Sequence, residues 1–301
     1  MPWIQLKLEA GDQDPEQLSD FLLAAGAASV TFLDAADQPI FEPDPGDTPL
    51  WTETRVVALF DAPDRMAEVR TAVAEAFGAD TAARIELETL ADRDWERAWM
   101  DHFQPMRFGR HLWVVPTGME APDDPQAVVL DLDPGLAFGT GTHPTTAQCL
   151  AWLDGHPPGG QEVLDFGCGS GILAIAALKL GAAHALGTDI DDQALWASRE
   201  NAARNGVAER LELCRPEHLP DTPVDLLLAN ILANPLIELA SRLAGLVRPG
   251  GRLLLSGILA EQAQAVMAAY EPWIRFDPVL EQDGWVCLAG EKAPSPERDP
   301  L

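Results

Sequence analysis

Apolar and polar residues change period several times along the chain, and each change marks an element. Residues 3–8 alternate as a strand, Leu18, Phe21, Leu22 and Ala25 recur at helical spacing, and Ser29–Leu33 is extended again. A Pro- and Asp-rich loop from Ala35 to Pro49 leads to a third strand at Arg55–Phe60. Met66, Val69, Val73 and Phe77 mark a second amphipathic helix, and Arg84–Glu88 a fourth strand. The order βαββαβ within about 90 residues predicts a small ferredoxin-like α+β domain.

A different pattern follows. Trp95, Trp99 and Phe103 stand four apart on one face of a helix that Asp92 or Asp94 caps and Pro105 stops, which reads as a connection between domains. Strands are expected at Leu112–Val115 and Ala127–Leu132. A helix then runs over Ala147–Leu153, with Thr142 as its N-cap and Pro144 in the first turn. From Val163 onward apolar strands alternate with Ala- and Leu-rich helices. Strands end at Asp165, Asp189, Leu213 and Ala229; helices cover Ala174–Leu180, Asp191–Asn205 and Leu236–Val247. A Pro249-Gly250-Gly251 turn precedes a strand at Arg252–Ser256 and a helix near 260–270. The link between two late strands, near Trp273–Phe276 and Trp285–Ala289, is too short for a parallel crossover, so these two are antiparallel. The expected fold class is α/β: a Rossmann-like, mostly parallel sheet with an antiparallel C-terminal hairpin, plus the ferredoxin-like domain. The expected boundaries are 1–91 for the small domain, 92–106 for the linker helix, 107–290 for the sheet domain and 291–301 for a disordered tail rich in proline.

Three places in this pattern carry chemistry. The first is Asp165-Phe166-Gly167-Cys168-Gly169-Ser170-Gly171, a strand running through a glycine turn into a helix. Glycines there tolerate positive φ and let a ligand approach the backbone. Asp189, at the end of the next strand, stands where an acid accepts hydrogen bonds from both ribose hydroxyls of a nucleoside. Gly167, Gly169 and Gly171 read G-x-G-x-G, whereas the dinucleotide fingerprint is G-x-G-x-x-G, and Ile172 fills the place of its third glycine with Leu173 directly after it. A helix start crowded by Leu173 suits a pyrophosphate poorly, which points to S-adenosylmethionine over NAD.

The second place is the loop Asp133–Thr146, with Phe138, three glycines and four threonines before a helix. One reading is a loop closing over a ligand, with Phe138 on its apolar part and threonines on its polar end; the other is a capped surface loop with a core Phe. His143 is a secondary candidate for a base or polar contact. The third place is Asn230, at the carboxyl end of a strand apolar enough to be buried on both faces. An amide there lies in the crevice where open α/β sheets bind ligands. Its oxygen accepts from a substrate amine and orients the nitrogen lone pair, a contribution of alignment.

Charge narrows the partners. The formal net charge is −28, and Lys7, Lys179 and Lys292 are the only lysines. Such a surface repels phosphate backbones and attracts a basic protein, although adaptation to salt gives the same composition. No direct nucleic-acid binding is expected. Cys149, Cys168, Cys214 and Cys287 show no paired spacing and neither they nor the six histidines form a metal cluster. With no apolar run long enough to cross a bilayer and no signal-peptide pattern, a cytoplasmic monomer with reduced thiols is expected.

Together, the Gly-loop at Asp165–Gly171, the segment Ala137-Phe138-Gly139-Thr140-Gly141-Thr142-His143-Pro144-Thr145-Thr146 and the segment Asn230-Ile231-Leu232-Ala233 resemble the ribosomal protein L-eleven methyltransferase family (PrmA). The resemblance implies S-adenosylmethionine as cofactor. It implies methylation of lysine side chains and an N-terminal amine on a basic protein of the large ribosomal subunit. By matching positions it places Thr146, Gly167, Asp189 and Asn230 at the cofactor, beside Phe138, Asp165, Gly169 and Gly171, with Asn230 as the catalytic residue. It further implies that the small N-terminal domain recognises the substrate and that the linker lets the domains reorient. The competing readings are a methyltransferase acting on RNA or another amine, an NAD-linked oxidoreductase, and an adaptor that senses a nucleoside without consuming it.

Overall fold

The computed structural model describes residues 3–36, 50–61, 65–90, 104–132 and 141–294. The chain divides into two compact units, Met1–Ala98 and Trp99–Leu301.

The first unit contains β1 (Trp3–Glu9), α1 (Pro15–Ala24), β2 (Ser29–Asp34), β3 (Thr54–Phe60), α2 (Met66–Phe77), the short α3 (Ala79–Ala83) and β4 (Glu86–Leu90). Asp14 starts α1 by accepting from the Glu16 amide, with Pro15 in the first turn. The strands pair antiparallel in the order β2-β3-β1-β4, the ferredoxin-like arrangement. Alternation decides which face is covered: Ile4, Leu6, Leu8, Val56, Ala58 and Phe60 meet Leu18, Leu22, Val69 and Val73 from the helices.

The second unit opens with a three-stranded sheet of β5 (Met106–Phe108), β6 (Leu112–Pro116) and β7 (Val128–Leu132). There follow α4 (Pro144–Gly155), β8 (Glu162–Phe166), α5 (Ile172–Lys179), β9 (His184–Thr188), α6 (Asp192–Arg204), β10 (Leu211–Cys214) and β11 (Val224–Asn230). The chain ends through α7 (Ala233–Glu238), α8 (Ala240–Gly245), β12 (Val247–Leu259), α9 (Ala263–Tyr270), β13 (Ile274–Phe276), β14 (Leu280–Gln282) and β15 (Trp285–Lys292). The large sheet runs β10-β9-β8-β11-β12-β15-β13. It is parallel from β10 to β12, and β15 is antiparallel to both of its neighbours. Two cores lie on its two faces. Val163, Leu226, Leu228 and Leu254 pack with α4 and α5, while Leu164, Leu227, Leu253 and Leu255 pack with α7, α8 and α9. That is why β11 reads as one unbroken apolar run.

Local features depart from expectation in several places. The Trp-bearing stretch falls in 91–103, outside the described residues, and Met106, expected to close the linker, opens β5 because Pro105 has already ended any helix. The tail starts later than Glu291. Glu291 and Lys292 finish β15, where the Lys292 ammonium donates to the carbonyls of Ala244 and Val247 at 2.8 and 2.7 Å. The single helix expected over Leu236–Val247 is two short ones, α7 and α8. The Pro249-Gly250-Gly251 turn is a bulge within β12: Val224 pairs with Val247 and Leu226 already with Arg252. The tight turn of the C-terminal hairpin joins β14 to β15 through Asp283 and Gly284, both at positive φ. Among the described residues no helix is long and apolar enough to cross a membrane.

Asp154, at the end of α4, is buried and accepts from the backbone amides of Arg110, His111 and Leu112. It fastens the β5–β6 turn to the helix. Asp154→Ala leaves those three donors without their acceptor and is expected to cost roughly 2–4 kcal/mol, measured as a lower urea midpoint for the sheet unit; an unchanged midpoint would remove Asp154 from that role.

Candidate active site

The site forms where β8, β9 and β11 end side by side. Beyond β8 the backbone turns through Gly167, Gly169 and Gly171 at φ of 77°, 55° and 78°. The Gly167 and Cys168 amides both donate to the Thr188 carbonyl, at 2.8 and 3.0 Å, and the Gly171 amide closes the turn on Cys168 at 2.8 Å. Glycine is required at 171 for a second reason: a Cβ there would lie 2.8 Å from Ser198 Oγ and 3.1 Å from Ser198 Cα. With glycine present, α6 closes on the loop, and Ser198 Oγ and Asn201 Nδ2 donate to the carbonyls of Gly169 and Ser170 at 2.9 and 3.0 Å.

Gly171 is the N-cap of α5 and has no side chain to cap with. Asp165 replaces it. Its Oδ2 accepts from the Ala174 amide at 3.0 Å, and the residue is 1% exposed. Its other oxygen, also buried, meets no donor among the described residues. Burial, reinforced by the nearby Asp189 charge, pushes this carboxyl up from 3.8 to about 7, against the pull of the Ala174 amide. Burial likewise pushes the Cys168 thiol up, so this cysteine is no nucleophile.

Asp189 is half-buried at the end of β9, its Oδ2 accepting from the Gly169 amide at 2.9 Å and its Oδ1 from the Asp191 amide at 3.0 Å. Each carboxylate oxygen has a second lone pair, which suits a vicinal diol. Within the turn, the amides of Gly167, Cys168, Gly169 and Gly171 are engaged by the protein, as is that of Ala174 in the first turn of α5. Asp189 beside this glycine turn fits the ribose of a nucleoside.

On the other side, β11 delivers Asn230 to the first turn of α4. Its Nδ2 donates to Thr146 Oγ1 at 3.2 Å, and Thr146 is fully buried. His143, not Thr142, is the N-cap of α4, because Pro144 takes the first helical position. Its Nδ1 lies 2.8 Å from Thr145 Oγ1 and 3.4 Å from the Thr145 amide, and its ring meets Trp285 edge-on at 4.9 Å. Burial lowers the His143 pKa, so the ring is neutral at pH 7. Asn230, Thr146, the glycine turn and Asp189 thus line one edge of the sheet, with Asp165 sealed beneath the turn. Phe138 lies outside the described residues. Ser198 and Asn201 were not anticipated; two polar residues on the inward stripe of α6 were the available signal. Among the described residues no cluster of His, Cys, Asp or Glu could hold a metal ion.

A parallel sheet with an antiparallel strand set inside its edge, and a glycine turn and an acid at the ends of adjacent strands, defines a Rossmann-like methyltransferase. The family model described as ribosomal protein L11 methyltransferase (PrmA) matches residues 2–293, and the chain belongs to that family. A ribosomal protein L11 methyltransferase of Pseudomonas putida (strain W619) is 58% identical over 97% of this chain and 100% of its own length. The protein of the same name from Azotobacter vinelandii is 58% identical over 96% and 99%. The crystal structure of a ribosomal protein L11 methylase from Lactobacillus delbrueckii subsp. bulgaricus aligns with a TM-score of 0.59 at 35% identity, covering 64% of this chain and all of that one. The resemblance read from the three motifs is borne out.

The raised Asp165 pKa has a consequence for stability. Below the ordinary 3.8 the carboxyl is protonated in folded and unfolded chains alike, whereas between there and about 7 the unfolded chain ionises and the folded one keeps its proton. Stability of the ligand-free protein therefore falls as pH rises through that window. Asp165→Asn is expected to flatten the dependence in urea titrations between pH 4 and 7, and an unaltered slope would contradict the shift.

Proposed function

We propose that this chain transfers methyl groups from S-adenosylmethionine to amines of ribosomal protein L11, namely lysine side chains and the N-terminal α-amine. The observation that carries the reading is the Asn230–Thr146 hydrogen bond. With Nδ2 committed to a buried threonine, Oδ1 is the atom left to accept, and it is held at the strand end. It takes an N–H of the incoming amine and so turns the nitrogen lone pair in a fixed direction. Bound on this edge, S-adenosylmethionine supplies an electrophilic methyl group on a sulfonium.

Asp189 holds the ribose, and the glycine turn, shaped from below by Asp165, accommodates the nucleoside. Thr146 keeps the Asn230 amide from rotating. The amine must be neutral to react, while a solvated lysine has a pKa of about 10.4; desolvation in the site lowers it. No side chain of the described site is needed as a general base, and water removes the proton. The net charge of −28 draws a basic substrate and repels RNA, and the ferredoxin-like unit, itself rich in acids, docks that substrate.

Incubation with isotope-labelled S-adenosylmethionine, ribosomal protein L11 and ribosomal RNA is expected to place label in lysines and the N-terminus of the protein, read by mass spectrometry. Label in RNA alone would overturn the reading. Asp189→Ala is expected to weaken S-adenosylmethionine binding at least tenfold by calorimetry, roughly the value of a lost charge-assisted hydrogen bond pair. Asn230→Ala is expected to lower kcat by about a hundredfold with little change in that affinity; full turnover would take Asn230 out of the chemistry.

A further inference from the structure

The two halves of the site, Asn230 on β11 and Thr146 on α4, are both gripped by one irregularity in a neighbouring strand. Along β12, Leu255 pairs with Leu288 and Ile258 already with Val286, so β12 carries one residue more than β15 across this step. The extra length falls at Ser256 and Gly257, and on the opposite edge Ser256 is the register partner of Asn230.

Each bulge residue touches a different half. Ser256 is fully buried, and its Oγ donates to the Thr145 carbonyl at 3.2 Å, one residue before Thr146. Gly257, at φ 82°, lies against the backbone of Ile231, one residue after Asn230. A Cβ at 257 would overlap the Ile231 carbonyl oxygen and stand 2.8 Å from its carbon and 3.2 Å from its nitrogen. These are backbone atoms and cannot swing aside. Ile231 is confined from the other side as well, since its Cγ2 occupies the space a Cβ on Gly167 would need.

We propose that the Ser256–Gly257 bulge sets the spacing between Asn230 and Thr146, which makes Ser256 and Gly257 positioning residues for methyl transfer. The proposal rests on the reading that Asn230 orients the amine. The Asn230–Thr146 bond is already long at 3.2 Å, so a displacement of roughly 1 Å breaks it. A side chain at 257 forces at least that displacement on Ile231, and Asn230 moves with it. Loss of the Ser256 hydroxyl releases the first turn of α4, a smaller change. Neither substitution touches Asp189; Ser256→Ala also leaves Ile231 and the glycine turn alone, so binding of the nucleoside is spared there, whereas Gly257→Ala presses Ile231 toward Gly167.

The test is a pair of double-mutant cycles with ribosomal protein L11 as substrate: Gly257→Ala and Ser256→Ala, each in the wild-type and the Asn230→Ala background. Melting curves and S-adenosylmethionine calorimetry serve as controls. In the wild-type background Gly257→Ala is expected to lower kcat at least tenfold and Ser256→Ala about threefold, with donor affinity of the Ser256→Ala variant changed less than about threefold. In the Asn230→Ala background each is expected to cause less than about a twofold further loss, because the group it positions is gone. Unchanged kcat in the wild-type background, or an equal loss in both, overturns the proposal, since a merely structural fault would act equally in both. Should Gly257→Ala fail to fold, the Ser256→Ala cycle decides by the same criteria. Full activity of Asn230→Ala alone would instead refute the role assigned to Asn230, and this proposal with it.

Discussion

A carboxylate enclosed under a loop that has no side chain to spare holds the functional edge together. Gly171 must be glycine so that α6 can close against the turn, yet this deprives α5 of a capping side chain. Asp165 reaches across from the end of β8 to bond the Ala174 amide, which ties strand, turn and helix into one rigid piece. The arrangement carries an electrostatic penalty, since the acid is buried and sits near Asp189. A positive charge on this edge favours the ionised form of both acids, so the buried carboxyl also selects for a cationic group. The amides of Gly167 and Cys168 are spent on Thr188 and that of Gly169 on Asp189, which fixes the turn against β9.

Much of this could be read from the chain alone, because both faces of the large sheet are covered and the period-2 pattern survives intact. The β11 run Leu226-Leu227-Leu228 divides cleanly between two cores, and the alternation of β1 and β3 marks the covered face of the ferredoxin-like sheet. The positions of Asp189, Asn230 and Thr146 were legible because strand ends and helix starts follow from the apolar runs and the capping residues around them. The rest depends on registers no local pattern carries. The glycine turn reads as a ligand loop, but the partners of its amides show only in three dimensions. Asp165 reads as part of that motif, and its bond to the Ala174 amide shows only in the fold. The Ser256–Gly257 bulge is invisible until β12 is laid against β15, and α3 and β5 are too short to express a period.

The charge distribution has a similar double reading. Several of the few cations are already paired: Lys7 with Glu88, Arg55 with Glu9, Arg248 with Asp225 and Arg215 with Asp192 and Glu217. These exposed pairs add little to stability. Their effect is to leave the unpaired acids in control of the outer potential, which acts over about 10 Å at moderate salt and accelerates encounter with a basic protein.

The position of β15 bears on how the molecule is made. β15, the last strand among the described residues, is not an edge of the large sheet but lies between β12 and β13. Until it arrives, β12 presents an unpaired border in the middle of the future core, Lys292 cannot close over the end of α8, and Trp285 is absent from the side of His143. During synthesis the sheet therefore closes only once Trp285–Lys292 has left the ribosome, and a nascent chain without that segment has an open site. Competence waits on β15.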